Sequence, residues 1–201
     1  HIITILIYLL YCSTFNFLGT AGAMHEFAHG TVLTHKKTNK IFYKILGLLT
    51  WTNASIFQAT HFNHHRNFLH ETDLEGALGN NKSLSLVSVL GKVFLSPSFV
   101  ARRIYYTGLS ALGIFKSPKL KNLLDDKLIK KVQLDAVAII IFHSIVIFGS
   151  YFANNYYPIL FISLPAFLAQ YPNYVLASSQ HNVDIGTANT YTQLTASVSI
   201  Q

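Results

Sequence analysis

The chain has 201 residues, 51% of them hydrophobic and only 11% charged, against roughly 25% charged in a typical soluble domain, which argues against an ordinary soluble globular enzyme. The length suits one domain, and a single Cys excludes an internal disulfide. All 15 Lys and Arg lie between Lys36 and Arg103 or between Lys116 and Lys131, and no charged residue of either sign occurs from Ala136 to Val183. The +7 balance therefore reads as membrane topology; nucleic-acid binding would need a soluble basic face, and none is expected here.

In chain order, Ile2 to Ala23 is apolar with scattered Thr, Ser and Asn, and predicts a membrane helix ending near Glu26. No basic segment precedes it and no cleavage site follows, so it is not a signal peptide. Met24 is the only Met, and Gln201 closes the chain without a terminating pattern. The expectation is an internal fragment, one domain over residues 1–201 that is incomplete at both ends. Ile41 to Phe57 is marginal for a full crossing, which takes ~20 apolar residues, and would equally suit a re-entrant or interfacial segment. Residues 71–131 are polar and basic, with amphipathic stretches at Leu84 to Leu95 and Leu120 to Val132 that would lie on the membrane surface. Leu134 to Phe152 and Pro158 to Ala177 are the clearest spans, joined by a turn signal at Asn154 and Asn155. Lys36, Lys37, Lys40 and Lys44 after the first span, and Lys127, Lys130 and Lys131 before the hairpin, should face the cytoplasm. The expected fold class is all-α: a multi-pass transmembrane helical bundle with amphipathic helices on its cytoplasmic side.

Ten His outnumber the eight acidic residues, and six of them fall at the predicted cytoplasmic ends of apolar segments. In His25-Glu26-Phe27-Ala28-His29 the two imidazoles are four apart and share a helix face. In His61-Phe62-Asn63-His64-His65 the spacing puts His61 and His64 on one face with His65 beside them, and His181 follows the last predicted span. Imidazole is a neutral donor that suits Fe, Cu, Zn and Ni and avoids the cost of carboxylates near lipid. Six candidates exceed the three or four protein ligands of one zinc ion, so two metals fit better than one.

An apolar span ending in H-x-x-x-H, then H-x-x-H-H after a short apolar segment, then a transmembrane hairpin followed by a His resembles the membrane fatty acid desaturase and hydroxylase superfamily. The resemblance covers nearly the whole chain. It implies that His25, His29, His61, His64, His65 and His181 ligate a non-haem di-iron centre in an integral membrane oxidoreductase of lipid metabolism. It further implies an O2-dependent fatty acyl desaturase drawing electrons from a ferredoxin or a cytochrome b5 type carrier, or else a lipid or carotenoid hydroxylase or ketolase of the same superfamily. The further H-x-x-H-H box of these proteins does not occur among the 201 residues, which fits an incomplete sequence.

Other readings compete with this one. Residues 25–29 also match the H-E-x-x-H motif of zinc metalloproteases, with Glu26 as general base, but that chemistry has no use for the second box. A haem protein would place paired His at mid-membrane depth. Asp73 and Glu75 follow the second box and could orient ligating imidazoles through N–H to carboxylate bonds, with His70 as another outer partner; a solvated acidic loop is the plain alternative. His143, inside a predicted span, is expected as a neutral ring bonded to a neighbouring helix, and His35 as an interfacial or loop residue. Trp51 and Thr52 could line a lipid pocket, although an interfacial aromatic is the simpler expectation. The basic residues from Arg66 to Lys131 would anchor the chain to anionic membrane lipids and could dock an acidic electron-transfer protein.

Overall fold

A computed structural model of the chain describes residues 1–67, 73–74 and 97–170. His70, Glu75, the Leu84 to Leu95 stretch and His181 lie outside the described residues. Among those described, the secondary structure is helical, with no strand element. The helices are α1 (Ile2–Asn16), α2 (Ala23–His29), α3 (Lys36–Leu49), α4 (Ala54–Arg66), α5 (Pro97–Ala111), α6 (Pro118–Leu123) and α7 (Asp126–Phe152). A π-helical turn at Ile159–Ser163 and a 3-10 turn at Pro165–Phe167 follow.

The first apolar run is one helix in the sequence reading but two here. α1 stops at Asn16 because that buried amide turns inward: its Nδ2 donates to Cys12 O at 2.9 Å, to Pro165 O at 3.0 Å and to Leu168 O. The chain then turns through Gly19 to Gly22 and starts α2 in a new direction. Gly22 is required there, since a Cβ would sit 2.0 Å from Phe17 O. Gly30 ends α2 with φ 74°, the left-handed conformation that glycine adopts most readily. The seven residues that carry the first histidine pair are thus bracketed by two glycines.

The marginal apolar segment is likewise broken. α3 ends at Leu49, and Asn53 caps α4 by accepting from Ile56 N at 3.0 Å. Between them Trp51 has φ 54°, a costly conformation for a side chain of that size. Three long-range bonds hold the break. Asn53 Nδ2 donates to Val132 O at 2.8 Å, His143 Nε2 donates to Leu48 O at 2.9 Å, and Arg103 Nε donates to Trp51 O at 3.2 Å. Beneath the break Met24 and Ala28 of α2, Tyr43 and Leu46 of α3 and Ala54 of α4 form one core. Burial of large side chains such as Met24 and Leu46 contributes about 1.5–3 kcal/mol each.

α7 unites two predicted elements, the end of the amphipathic stretch and the span after it. Asp125 caps it by accepting from Leu128 N at 2.6 Å, and the helix runs for 27 residues, about 40 Å at about 1.5 Å per residue. It is the one described helix long and apolar enough to cross a bilayer. Its exposed side chains include Leu134, Ile141, Ile145, Phe148 and Phe152, while His143 and Ser150 are buried. Val132, Ala136 and Ile139 are buried with them; an apolar exterior with the polar His143 and Ser150 kept inside is what a lipid solvent favours. α1 is apolar too, but its 15 residues fall short of the ~20 that a crossing takes.

The expected turn after α7 is present: Asn154 has φ 49° and Asn155 Oδ1 accepts from Tyr157 N at 3.1 Å. The expected span from Pro158, however, is not a continuous α-helix over its described part. Pro165 has no N–H to offer Phe161 O, and Leu164 N bonds Ile159 O at 2.9 Å in the π register. Two tyrosines of α1 supply the missing donors: Tyr8 OH donates to Leu160 O and Tyr11 OH to Phe161 O, each at 2.6 Å.

Candidate metal centre

α2 and α4 meet so that both boxes point at one place. On α2 the face bearing Met24 and Ala28 is buried in the core, and one residue further round the helix His25 and His29 stand together with ring centroids 4.9 Å apart. From α4, His61 and His65 close the group. His61 Nε2 lies 3.2 Å from His29 Nε2 and 2.9 Å from His65 Nε2, and the His25 and His61 rings are 4.5 Å apart. The ligating nitrogens of His25, His29, His61 and His65 all lie within 4.8 Å of one another.

These spacings fit a metal ion. Two nitrogens bound to one metal at about 2.0–2.1 Å and near-tetrahedral angles stand a little over 3 Å apart, close to the separations of the His29, His61 and His65 nitrogens. Packing also disfavours protonation of two of the rings. Burial, followed by the neighbouring His25 and His61, lowers the His29 pKa; burial and the other four imidazoles push His65 down to about 4. A neutral ring keeps the lone pair that a metal needs.

Of the other two predicted ligands, His181 lies outside the described residues and His64 stands beside the group of four. His64 is buried, its ring 6.4 Å from His61 and 5.9 Å from His65. Its Nδ1 faces the Asp73 carboxylate oxygens at 2.9 and 2.8 Å. Glu26 does not face into the cluster as a protease base would. It is exposed and lies beside His25, 2.9 Å from its outer nitrogen Nδ1.

Of the other expectations, His143 is a buried core histidine. Its Nε2–H donates to Leu48 O, so its Nδ1 accepts from Ser163 OH at 2.8 Å, and Trp51 stacks on it at 4.1 Å and 17°. His35 caps α3, accepting from Thr38 N at 3.3 Å. Trp51 and Thr52 do line a pocket of about 380 Å³, together with Ile56, Phe57, Arg103 and Tyr106. Phe57 stacks on His61 at 5.1 Å and 19°, so that pocket shares a wall with the histidine cluster. A second cavity, about 670 Å³, has His29 on one wall and Lys36, Lys40 and Lys131 around it.

Two residues were not singled out from the sequence. Arg103 is turned inward, with Nη2 donating to Thr52 Oγ1 at 2.8 Å in addition to its bond to Trp51 O. Burial pulls its pKa down to about 10, so it stays charged at neutral pH. Asp135 accepts from Lys44 Nζ at 2.7 and 2.5 Å and from Ser55 N at 2.9 Å, tying α7 to α3 and α4. An acid opening an apolar run signals that it has a partner; nothing in the sequence marks Arg103.

A helical protein with a histidine-rich, metal-compatible centre beside an apolar pocket is the class these features define. The fatty acid desaturase family model matches residues 2–200, and the chain belongs to that family. Neither the comparison with curated proteins nor that with solved structures finds a match. Membership makes the chain a desaturase-like oxidoreductase at the level of the family, in a membrane-associated group of proteins.

Proposed function

We propose that this chain is the histidine-box domain of an integral membrane, non-haem di-iron enzyme, an O2-dependent fatty acyl desaturase. The convergence of four imidazoles from α2 and α4 on one point, within a chain matched by the family from end to end, carries the reading. His25, His29, His61 and His65 would hold the metal at that point. His64, standing apart, is accommodated better by two irons than by one, with His181 completing the set. When bound, the irons would supply the O2-dependent oxidation that removes hydrogen from an unactivated methylene.

The chain's own residues would do the positioning. The pocket of Trp51, Ile56, Phe57 and Tyr106 offers an acyl chain an apolar bed, and Phe57 brings it against His61. His29 reaches the surface among Lys36, Lys40 and Lys131, a basic rim suited to an acidic ferredoxin or cytochrome b5 type carrier. By the distribution of lysines that rim faces the cytoplasm, and the chain crosses the membrane more than once.

The test is to express the full-length protein in a host lacking desaturases and to measure its metal content and the host's acyl chains by gas chromatography and mass spectrometry. About two irons per chain and new carbon–carbon double bonds, both lost in His61→Ala, are expected. Zinc alone, or hydroxylated chains in place of unsaturated ones, would overturn the assignment.

A further inference from the structure

We infer that Asp73 is a positioning residue for the metal centre: it holds the His64 ring so that Nε2 is the nitrogen presented to metal, and it divides the second histidine box into two roles. This rests on the metal reading above. On a helix, residues 61, 64 and 65 fall on one side, so spacing alone sends all three imidazoles to one place. Only His61 and His65 join His25 and His29. His64 is held instead by Asp73, whose two carboxylate oxygens lie 2.9 and 2.8 Å from Nδ1.

The chemistry of the pair fixes the tautomer. An ionised carboxylate can only accept, so Nδ1 carries the hydrogen, and the lone pair of the neutral ring is on Nε2. Burial makes the constraint strong. The side chains of His64 and Asp73 are 4% and 1% exposed, where water does not screen the contact and a carboxylate is costly unless hydrogen-bonded. Glu26 makes the same kind of contact to His25, but its side chain is 63% exposed, so solvent competes with it. One imidazole of each box thus has a carboxylate on Nδ1, and only the Asp73 contact is shielded enough to lock its ring.

The experiment compares wild type, Asp73→Asn, Asp73→Glu, His64→Ala and the double variant His64→Ala/Asp73→Asn as full-length protein. Each is loaded with ⁵⁷Fe(II) without oxygen, with iron affinity measured by chelator competition and the site read by Mössbauer spectroscopy. Asp73→Asn should weaken iron binding by about 10–100-fold and change the quadrupole splitting. Asp73→Glu should recover much of the affinity while still perturbing the spectrum. In the His64→Ala background, Asp73→Asn should add no further loss. Wild-type affinity and spectrum in Asp73→Asn, or an equal further loss in the double variant, would overturn the inference while leaving the metal reading standing. If Asp73→Asn does not fold, an unchanged spectrum in Asp73→Glu overturns it instead. A wild-type protein that takes up no iron overturns the metal reading and this inference together.

Discussion

His61 is the residue on which the site turns. It is buried, its Nε2 lies within about 3 Å of the same atom of both His29 and His65, and its ring stacks on Phe57. Replacing it with Ala should lower the metal the protein retains more than replacing the more exposed His25, measured by metal analysis after dialysis. In the metal-free protein the lowered pKa of His65, about 4, sets a pH dependence. The unfolded chain takes up a proton near pH 6.5 that the folded state refuses until about pH 4. Stability from this residue is therefore complete above pH 6.5 and lost as the pH falls towards 4. Thermal melts of the metal-free protein should show the melting temperature dropping across that window, and His65→Ala should flatten the drop. The two boxes were legible residue by residue because ligand spacing is a local property of one helix. A carboxylate contact from Asp73 to a box imidazole was also expected; that it falls on His64 was not legible, because it depends on where residue 73 returns in space.

Breaks in the helices decide which side chains meet. Two of them, at Gly22 and at Thr50 to Asn53, put α2 and α4 face to face; continuous helices over Ile2 to Ala23 and Ile41 to Phe57 would have carried the boxes apart. Gly22→Ala would drive a methyl into Phe17 O. We expect it to cost more than the ~1 kcal/mol of an average point mutation and to lower metal retention along with the melting temperature. The π turn offers a milder test. Tyr11→Phe removes the donor to Phe161 O, leaving a carbonyl that Pro165 cannot serve, with an expected loss of about 0.5–1.5 kcal/mol seen as a lower melting temperature. Arg103 bridges α5 to the break beside Trp51, the chain's one tryptophan. Arg103→Met should release Trp51 from its stack on His143 and shift its fluorescence emission, a change that Arg102→Met should not produce. Apolar runs were visible in the sequence, but their interruptions were underestimated. Asn16 and Asn53 are single polar residues whose effect comes from bonds to carbonyls distant in the chain, Pro165 O and Val132 O.

At the scale of the whole molecule, charge and burial are distributed as the composition requires. Lysines ring the cavity beside His29, and α7 presents isoleucine and phenylalanine outward while burying His143 and Ser150. If the basic rim receives an acidic carrier, reversing Lys40 and Lys131 to Glu should slow reduction by the carrier at low salt and weaken its ionic-strength dependence, as read by stopped-flow absorbance. Reduction by a small neutral reductant should be unaffected. The sequence by itself determined the helical class, the apolar composition, the two histidine boxes and the family they resemble, because those follow from residue type and from periods of three to four residues. Only the tertiary structure decided that four of the imidazoles converge, that His64 pairs with Asp73, that Arg103 points inward and that an apolar pocket abuts the centre. Those outcomes depend on the angles at which α2, α4, α5 and α7 cross, and on carbonyls left open by helix breaks that find their donors far away in the chain.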